Sequence, residues 1–341
     1  MSNLIISRVC NMACDYCFAR QSMRLWQSDR SQQFISAAVF EERLDFLERS
    51  DVREIRLLGG EPTLHPDFFS LLRQAQKRGR RILVFSHGWL DEKTSAFLES
   101  RSDTAILIMI NMNAQPRLET SEKYSPARRR KILKRLGSLA TLGYNIHGPG
   151  FDLEPLIKLI DGTGIRRVIR LGLAQPVWNG NNAWLHPKLY PLVGQKIARF
   201  GKLAVEAGIK LEFDCGFVPC MFSEANREAL QTQHPDLDWH CNPIPDLDIE
   251  GQAFHCFPLS GKISTTFTAS ERASEVRNRL IEQAKPYRTA GIYRECSVCK
   301  SKINGDCPGG CLSATLRRYH QAGTSLVVPR EVFYPTTSPV N

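Results

Sequence analysis

From Leu4 to Leu173 the chain alternates short apolar runs with longer amphipathic ones, and this rhythm restricts the fold more than any other feature. Runs over 4–9, 54–58, 82–85, 105–111, 145–147 and 168–173 have the length of buried strands. The stretches 37–48, 68–77, 93–99, 127–142 and 153–160 carry helical spacing, with Val39, Phe40, Leu44 and Leu47 on one side of the first. Gly79 and Gly143 stand where helix ends are expected. Strands alternating with helices in this way predict a parallel sheet with helical crossovers, an α/β fold. After Tyr190 one further helix and one strand precede a cysteine-rich region that begins at Cys215. The expected organisation is therefore a βα domain over residues 1–210, a smaller cysteine-rich domain over 211–320 and a tail over 321–341.

The first strand runs into Cys10-Asn11-Met12-Ala13-Cys14-Asp15-Tyr16-Cys17. Thiolates are soft ligands suited to iron–sulfur clusters or zinc, and closed sites of either kind usually take four protein ligands. No further Cys or His follows before His65, so the spacing points to a cluster with one iron left open. Half a zinc site, or buried thiols without metal, is the alternative. The second strand ends in Gly59-Gly60-Glu61-Pro62, at the end where barrels of parallel strands place their chemistry. Two glycines permit a close backbone approach, and the carboxylate can accept from an ammonium group; a tight turn is the plainer explanation.

Together the two motifs resemble the radical S-adenosylmethionine (SAM) superfamily. The resemblance implies a partial (βα)6 TIM-like barrel and a [4Fe–4S] cluster held by Cys10, Cys14 and Cys17, with Tyr16 in the aromatic slot. SAM would complete the open iron, its amino group bound by Gly59, Gly60 and Glu61. Asn111 and Asn113, at the fourth strand's end, would bond the ribose, and Arg128 would reach the SAM carboxylate; His87 ends the third strand as a structural or catalytic group. The implied activity is reductive cleavage of SAM to methionine and a 5′-deoxyadenosyl radical, with an external electron donor such as flavodoxin or ferredoxin.

Eight thiols remain: Cys215, Cys220, Cys241, Cys256, Cys296, Cys299, Cys307 and Cys311. Taken alone, the last four are compatible with a zinc knuckle. Cys241, Gly251 and Cys256 resemble the front half of the SPASM auxiliary-cluster domain and the last four its back half, with a longer central gap here. That domain's final cysteine is absent, and Cys215 and Cys220 are additions upstream. The resemblance implies two auxiliary [4Fe–4S] clusters, or one as in the shorter twitch variant. By analogy Cys241, Cys256 and Cys311 would share one cluster and Cys296, Cys299 and Cys307 the other. Phe257 stands where some relatives place an Asp base, leaving Asp214 as the candidate.

Nothing approaches the roughly 18 consecutive apolar residues of a membrane span, and no secretory signal precedes the first cysteine. Eleven cysteines without such a signal predict a reducing, cytoplasmic setting and metal binding rather than disulfides. The net charge of +10 is densest at Arg128-Arg129-Arg130-Lys131. Ile132, Leu133 and Leu136 recur through that stretch, so its charges read as a solvated helix face rather than a nucleic-acid groove. Oxidation or crosslinking of a peptide or protein side chain is the leading activity. Dehydrogenation or epimerisation of a sugar or aminoglycoside comes next. RNA modification and a non-enzymatic zinc or redox-sensing module follow. With the first strand starting almost at Met1, a peptide substrate is expected to be gripped by the barrel mouth, the C-terminal region or a separate partner. The loop over 174–186, with Trp178 and Trp184, is the candidate contact or else an interdomain plug.

Overall fold

The structure, a computed structural model, describes residues 2–20, 23, 33–101, 105–116, 122–237, 239–241 and 244–321. Most of the expected tail lies outside them. Strands β1 (Ser2–Ser7), β2 (Glu54–Gly59), β3 (Arg81–Ser86), β4 (Ile106–Asn111), β5 (Ala140–Ile146), β6 (Val168–Leu173) and β7 (Lys210–Phe213) lie side by side in sequence order, all parallel. Helices α1 (Ala37–Arg49), α2 (Phe68–Lys77), α3 (Glu92–Glu99), α4 (Pro126–Leu136), α5 (Glu154–Asp161) and α6 (Tyr190–Glu206) make the crossovers. The six expected βα units are thus present, and β7 adds a seventh parallel strand at one edge.

Past β7 come α7 (Glu224–Gln233), β8 (Asp246–Leu247), β9 (Gln252–Phe254), β10 (Ser264–Thr266), α8 (Ala273–Ala284), α9 (Lys300–Ile303) and α10 (Leu312–Gln321). Strand β8 pairs parallel with β1, and β9 and β10 follow antiparallel, so the C-terminal region extends the same sheet at its other edge. Buried Arg8, just after β1, bonds Asp248 at 2.6 Å and ties the start of the cysteine loop to this extension.

Strand alternation sorts the two faces of the sheet. Ile106, Ile108 and Ile110 of β4 are buried in the core with Leu98, Ile132, Leu133 and Leu136 of the helices. The other face carries Arg56, Phe85, Met109 and Arg170, each only partly covered. One element departs from the sequence reading. The helix expected over 127–142 stops at Leu136, because Gly137 takes φ 50°, and Ala140 to Leu142 become the start of β5. Leu139, Ala140 and Leu142 fit a helical stripe and a buried strand equally well; the register of β5 between β4 and β6 decides.

Candidate active site

The three-cysteine loop is held by the strand ends around it. Met12 N–H donates to the Cys10 sulfur at 3.4 Å and Gln115 N–H to that of Cys14 at 3.1 Å. Ala13 N–H donates to Gln115 O at 2.7 Å, pairing the loop with the segment after β4. Burial pushes the Cys10 thiol up to about 12 and Cys17 up to about 11, so both stay neutral until a metal displaces their protons. Three thiols with backbone N–H groups aimed at two of them fit the thiolate donor set of an iron–sulfur cluster.

The Gly59-Gly60 turn lies directly on this loop. Gly60 N–H donates to Ser7 O at 2.7 Å and Glu61 N–H to Val9 O at 2.8 Å. A Cβ on Gly59 would fall 2.0 Å from Ser7 O, and one on Gly60 2.2 Å from Val9 O. Both glycines are therefore required by the chain's own backbone. Glu61 is buried and joins β2 to β3: it accepts from Thr63 Oγ1 at 2.6 Å, Ser86 Oγ at 2.9 Å and His87 N–H at 2.9 Å. A ligand ammonium would have to share that carboxylate with these donors. His87 Nε2 lies 2.8 Å from Asn11 Oδ1, while its Nδ1 accepts from Trp89 N–H. Burial lowers its pKa, so it acts here as a neutral tether between β3 and the cysteine loop.

Tyr16 is anchored by the two asparagines. Asn111 Nδ2 donates to its hydroxyl at 2.8 Å, which in turn donates to Asn113 O at 3.0 Å; His147 stacks on the ring at 5.0 Å. Asn113 also bonds Asn145 O at 2.7 Å, so both amides already serve the protein. Arg128 donates to Lys123 O and Leu90 O. Its neighbour Arg129 is the one turned inward. Buried on the face of α4 that carries Ile132, Leu133 and Leu136, it donates to His87 O at 2.7 Å, Met112 O at 2.8 Å and Asn111 O, and stacks on Trp89. The basic run is thus not one solvated face. Positions 129, 132, 133 and 136 share a helical stripe, the signal that sets this arginine apart from its neighbours.

In the C-terminal region the eight thiols fall into two sets by the charges they feel. Cys215 is flanked by Cys241, Cys311 and Cys256, and Cys256 by Cys311 and Cys241. Cys220 is flanked by Cys307, Cys296 and Cys299. The first set has a cation: Arg288 Nη2 donates to the Cys241 sulfur at 3.0 Å. Burial and the neighbouring Asp214 carboxylate raise the Cys215 pKa, while the residue keeps exposed surface. Four soft thiols with one guanidinium beside them fit an anionic iron–sulfur cluster. Among the described residues no three His, Cys, Asp or Glu groups are placed to hold a single metal ion.

Asp214 accepts from Arg170 at 2.7 Å and from Cys215 N–H at 2.9 Å. Burial alone would raise its pKa, but the Arg170 guanidinium holds it below the usual carboxylate range. It is ionised and a weak base. The 174–186 loop clasps the cysteine loop: Ala183 N–H donates to Asp15 O at 2.9 Å and Asn182 Nδ2 to Tyr16 O at 3.2 Å. Trp178 packs between His320 and Lys262 of the C-terminal region.

A thiol loop on β1, laced to a glycine turn on β2 at the open end of a partial parallel barrel, is the architecture of the radical SAM class. Residues 4–161 match the Radical SAM superfamily: the chain carries a radical SAM domain, followed by a cysteine-rich C-terminal region. It is 22% identical over 320 residues to the mycofactocin maturase MftC of Mycobacterium ulcerans (strain Agy99), covering 91% of this chain and 82% of that one. A shorter likeness, 32% over 89 residues, is to the S-adenosylmethionine-dependent nucleotide dehydratase of Selenomonas ruminantium, covering 26% and 30%. Among solved structures, native anSMEcpe with bound AdoMet superposes with a TM-score of 0.64 at 17% identity, covering 91% and 89%. Streptococcus suis SuiB bound to S-adenosylmethionine superposes at 0.62 and 16%, covering 97% and 76%. Among the described residues no helix is long and apolar enough to cross a membrane.

Proposed function

We propose that this radical SAM enzyme oxidises or crosslinks a side chain of a peptide or protein, and that it carries two auxiliary [4Fe–4S] clusters. The observation that carries the reading is the division of the C-terminal thiols into two sets of four, Cys215, Cys241, Cys256 and Cys311 against Cys220, Cys296, Cys299 and Cys307. Likeness along 91% of the chain to a maturase, and to SuiB in its complex with the precursor peptide SuiA, supports a peptide as substrate. In this reading Cys10, Cys14 and Cys17 hold the SAM cluster. When bound, that cluster and SAM supply a 5′-deoxyadenosyl radical for hydrogen abstraction. Gly59, Gly60 and Glu61 frame the amino acid end of SAM, and Asn111 and Asn113 position Tyr16 beside it. Arg129 fixes the ends of β3 and β4. Asp214, proton-free at neutral pH, takes the proton released as the substrate is oxidised. The short likeness to a nucleotide dehydratase favours a small-molecule substrate as the second reading.

The test is anaerobic reconstitution followed by incubation with SAM, dithionite and any short peptide that an adjacent open reading frame encodes. About 12 iron atoms per chain, four for each of three clusters, and a peptide lighter by the hydrogens lost are expected. Unchanged peptides with turnover of a nucleotide or sugar would establish the second reading instead.

A further inference from the structure

Two polar side chains between the barrel and the C-terminal thiols lack partners beyond each other. Gln175 follows β6 and is 5% exposed; Tyr190 opens α6 and is fully buried. Neither amide atom of Gln175, nor the Tyr190 hydroxyl, has a hydrogen-bond partner outside the pair; the Gln175 amide approaches the Tyr190 oxygen and leaves the phenol O–H unused. Leaving such a group unpaired costs about 1–3 kcal/mol, and native proteins rarely accept it unless a bound group answers it.

Their surroundings name that group. A Cβ on Gly216 would fall 2.2 Å from Gln175 Nε2, so the amide presses against the chain directly after Cys215. On the other side the Ser313 hydroxyl donates to Pro176 O, which clamps the segment after Cys311 beside Gln175. Tyr190 lies next to Gln175 and feels Cys311 of one set and Cys220 of the other. A second phenol, Tyr293, also neighbours Cys220 and Cys296, but it already donates to Pro187 O at 2.6 Å. Of these two phenols, Tyr190 alone has a donor to spare.

Resting on the two-cluster reading, we infer that Tyr190 and Gln175 donate hydrogen bonds to the sulfur atoms of the cluster held by Cys215, Cys241, Cys256 and Cys311, and so raise its reduction potential. Reduction adds negative charge to a cluster's sulfurs, and a donor aimed at them stabilises the reduced form. These are positioning and tuning groups; they touch no substrate in this assignment.

The test is a potentiometric titration, followed by electron paramagnetic resonance, of anaerobically reconstituted full-length wild type, Tyr190→Phe and Gln175→Leu. Both variants are expected to keep wild-type iron and sulfide. One auxiliary midpoint should move to more negative potential, while the other auxiliary and the SAM-cluster midpoints stay in place. Unmoved midpoints, or an equal shift of all three, would overturn the inference. So would unmoved midpoints with weakened peptide binding, which would make the pair substrate ligands. If one variant loses iron, the variant that keeps it decides by the same criterion; loss of iron from both makes the pair structural and overturns the inference. A wild type with one auxiliary signal and about eight iron atoms, four per cluster, would instead fail the two-cluster reading itself.

Discussion

The two thiol regions of this enzyme are built on opposite principles. Cys10, Cys14 and Cys17 occupy one short loop and are braced by backbone groups and side chains from the ends of β2, β3 and β4, which Arg129 holds together from behind. The eight C-terminal thiols come from separate segments between Cys215 and Cys311, and one of their sets has a guanidinium in direct contact. A compact loop takes its shape from local spacing and needs the barrel only as a brace. A dispersed set exists only once the sheet and its extension have formed.

The largest expected effect tests whether the regions are independent. Replacing Cys10, Cys14 and Cys17 together by Ala should abolish 5′-deoxyadenosine formation under dithionite while leaving the auxiliary iron, about eight atoms for two clusters. If the triple variant still cleaves SAM, the first region is not the SAM site. If all iron is lost, the two regions do not assemble separately.

An intermediate effect is expected at the brace. Arg129→Met leaves the carbonyls of His87, Asn111 and Met112 without their donor, which should cost about 3 kcal/mol of stability by the usual penalty for buried unpaired groups. Denaturant unfolding should show that loss, and iron analysis should show it falling on the first site while the auxiliary iron persists. An equal loss from both would dissolve the contrast.

The smallest effect concerns protons. Burial lowers the pKa of His87 beside the first region and takes His255, next to Cys256, down to about 4. Unfolded histidine titrates near 6.5, so below that pH the unfolded chain binds more protons than the folded one and stability falls as pH falls. Each histidine contributes at most about 1.4 kcal/mol per pH unit. Unfolding midpoints should therefore drop between about pH 7 and 5, and His255→Gln should flatten the slope. A pH-independent midpoint would show that these rings take up protons in the fold as they do in the unfolded chain.

Much of the first region was legible because its signals are short-range. The apolar runs named the strands, and thiol spacing followed by Gly59-Gly60-Glu61 named the strand ends where chemistry sits. The two glycines were read as room for a ligand; they also make room for Ser7 and Val9, and that contact joins neighbouring strands and has no local trace. Arg129 was hidden among Arg128, Arg130 and Lys131, since only packing on β3 and β4 separates it from its neighbours.

By itself the sequence determined the order of βα units, the thiol loop on the first strand and the glycine turn on the second. Each is written within a few residues, where hydrophobic period and ligand spacing act directly. Tertiary structure alone decided that β5 begins at Ala140, that Glu61 accepts from Thr63, Ser86 and His87, and that Cys215 sits with Cys241, Cys256 and Cys311 while Cys220 sits with Cys296, Cys299 and Cys307. Thiols that far apart in the chain carry no record of their neighbours. Sheet order, and the attachment of β8 to β1 at the edge opposite β7, bring them together.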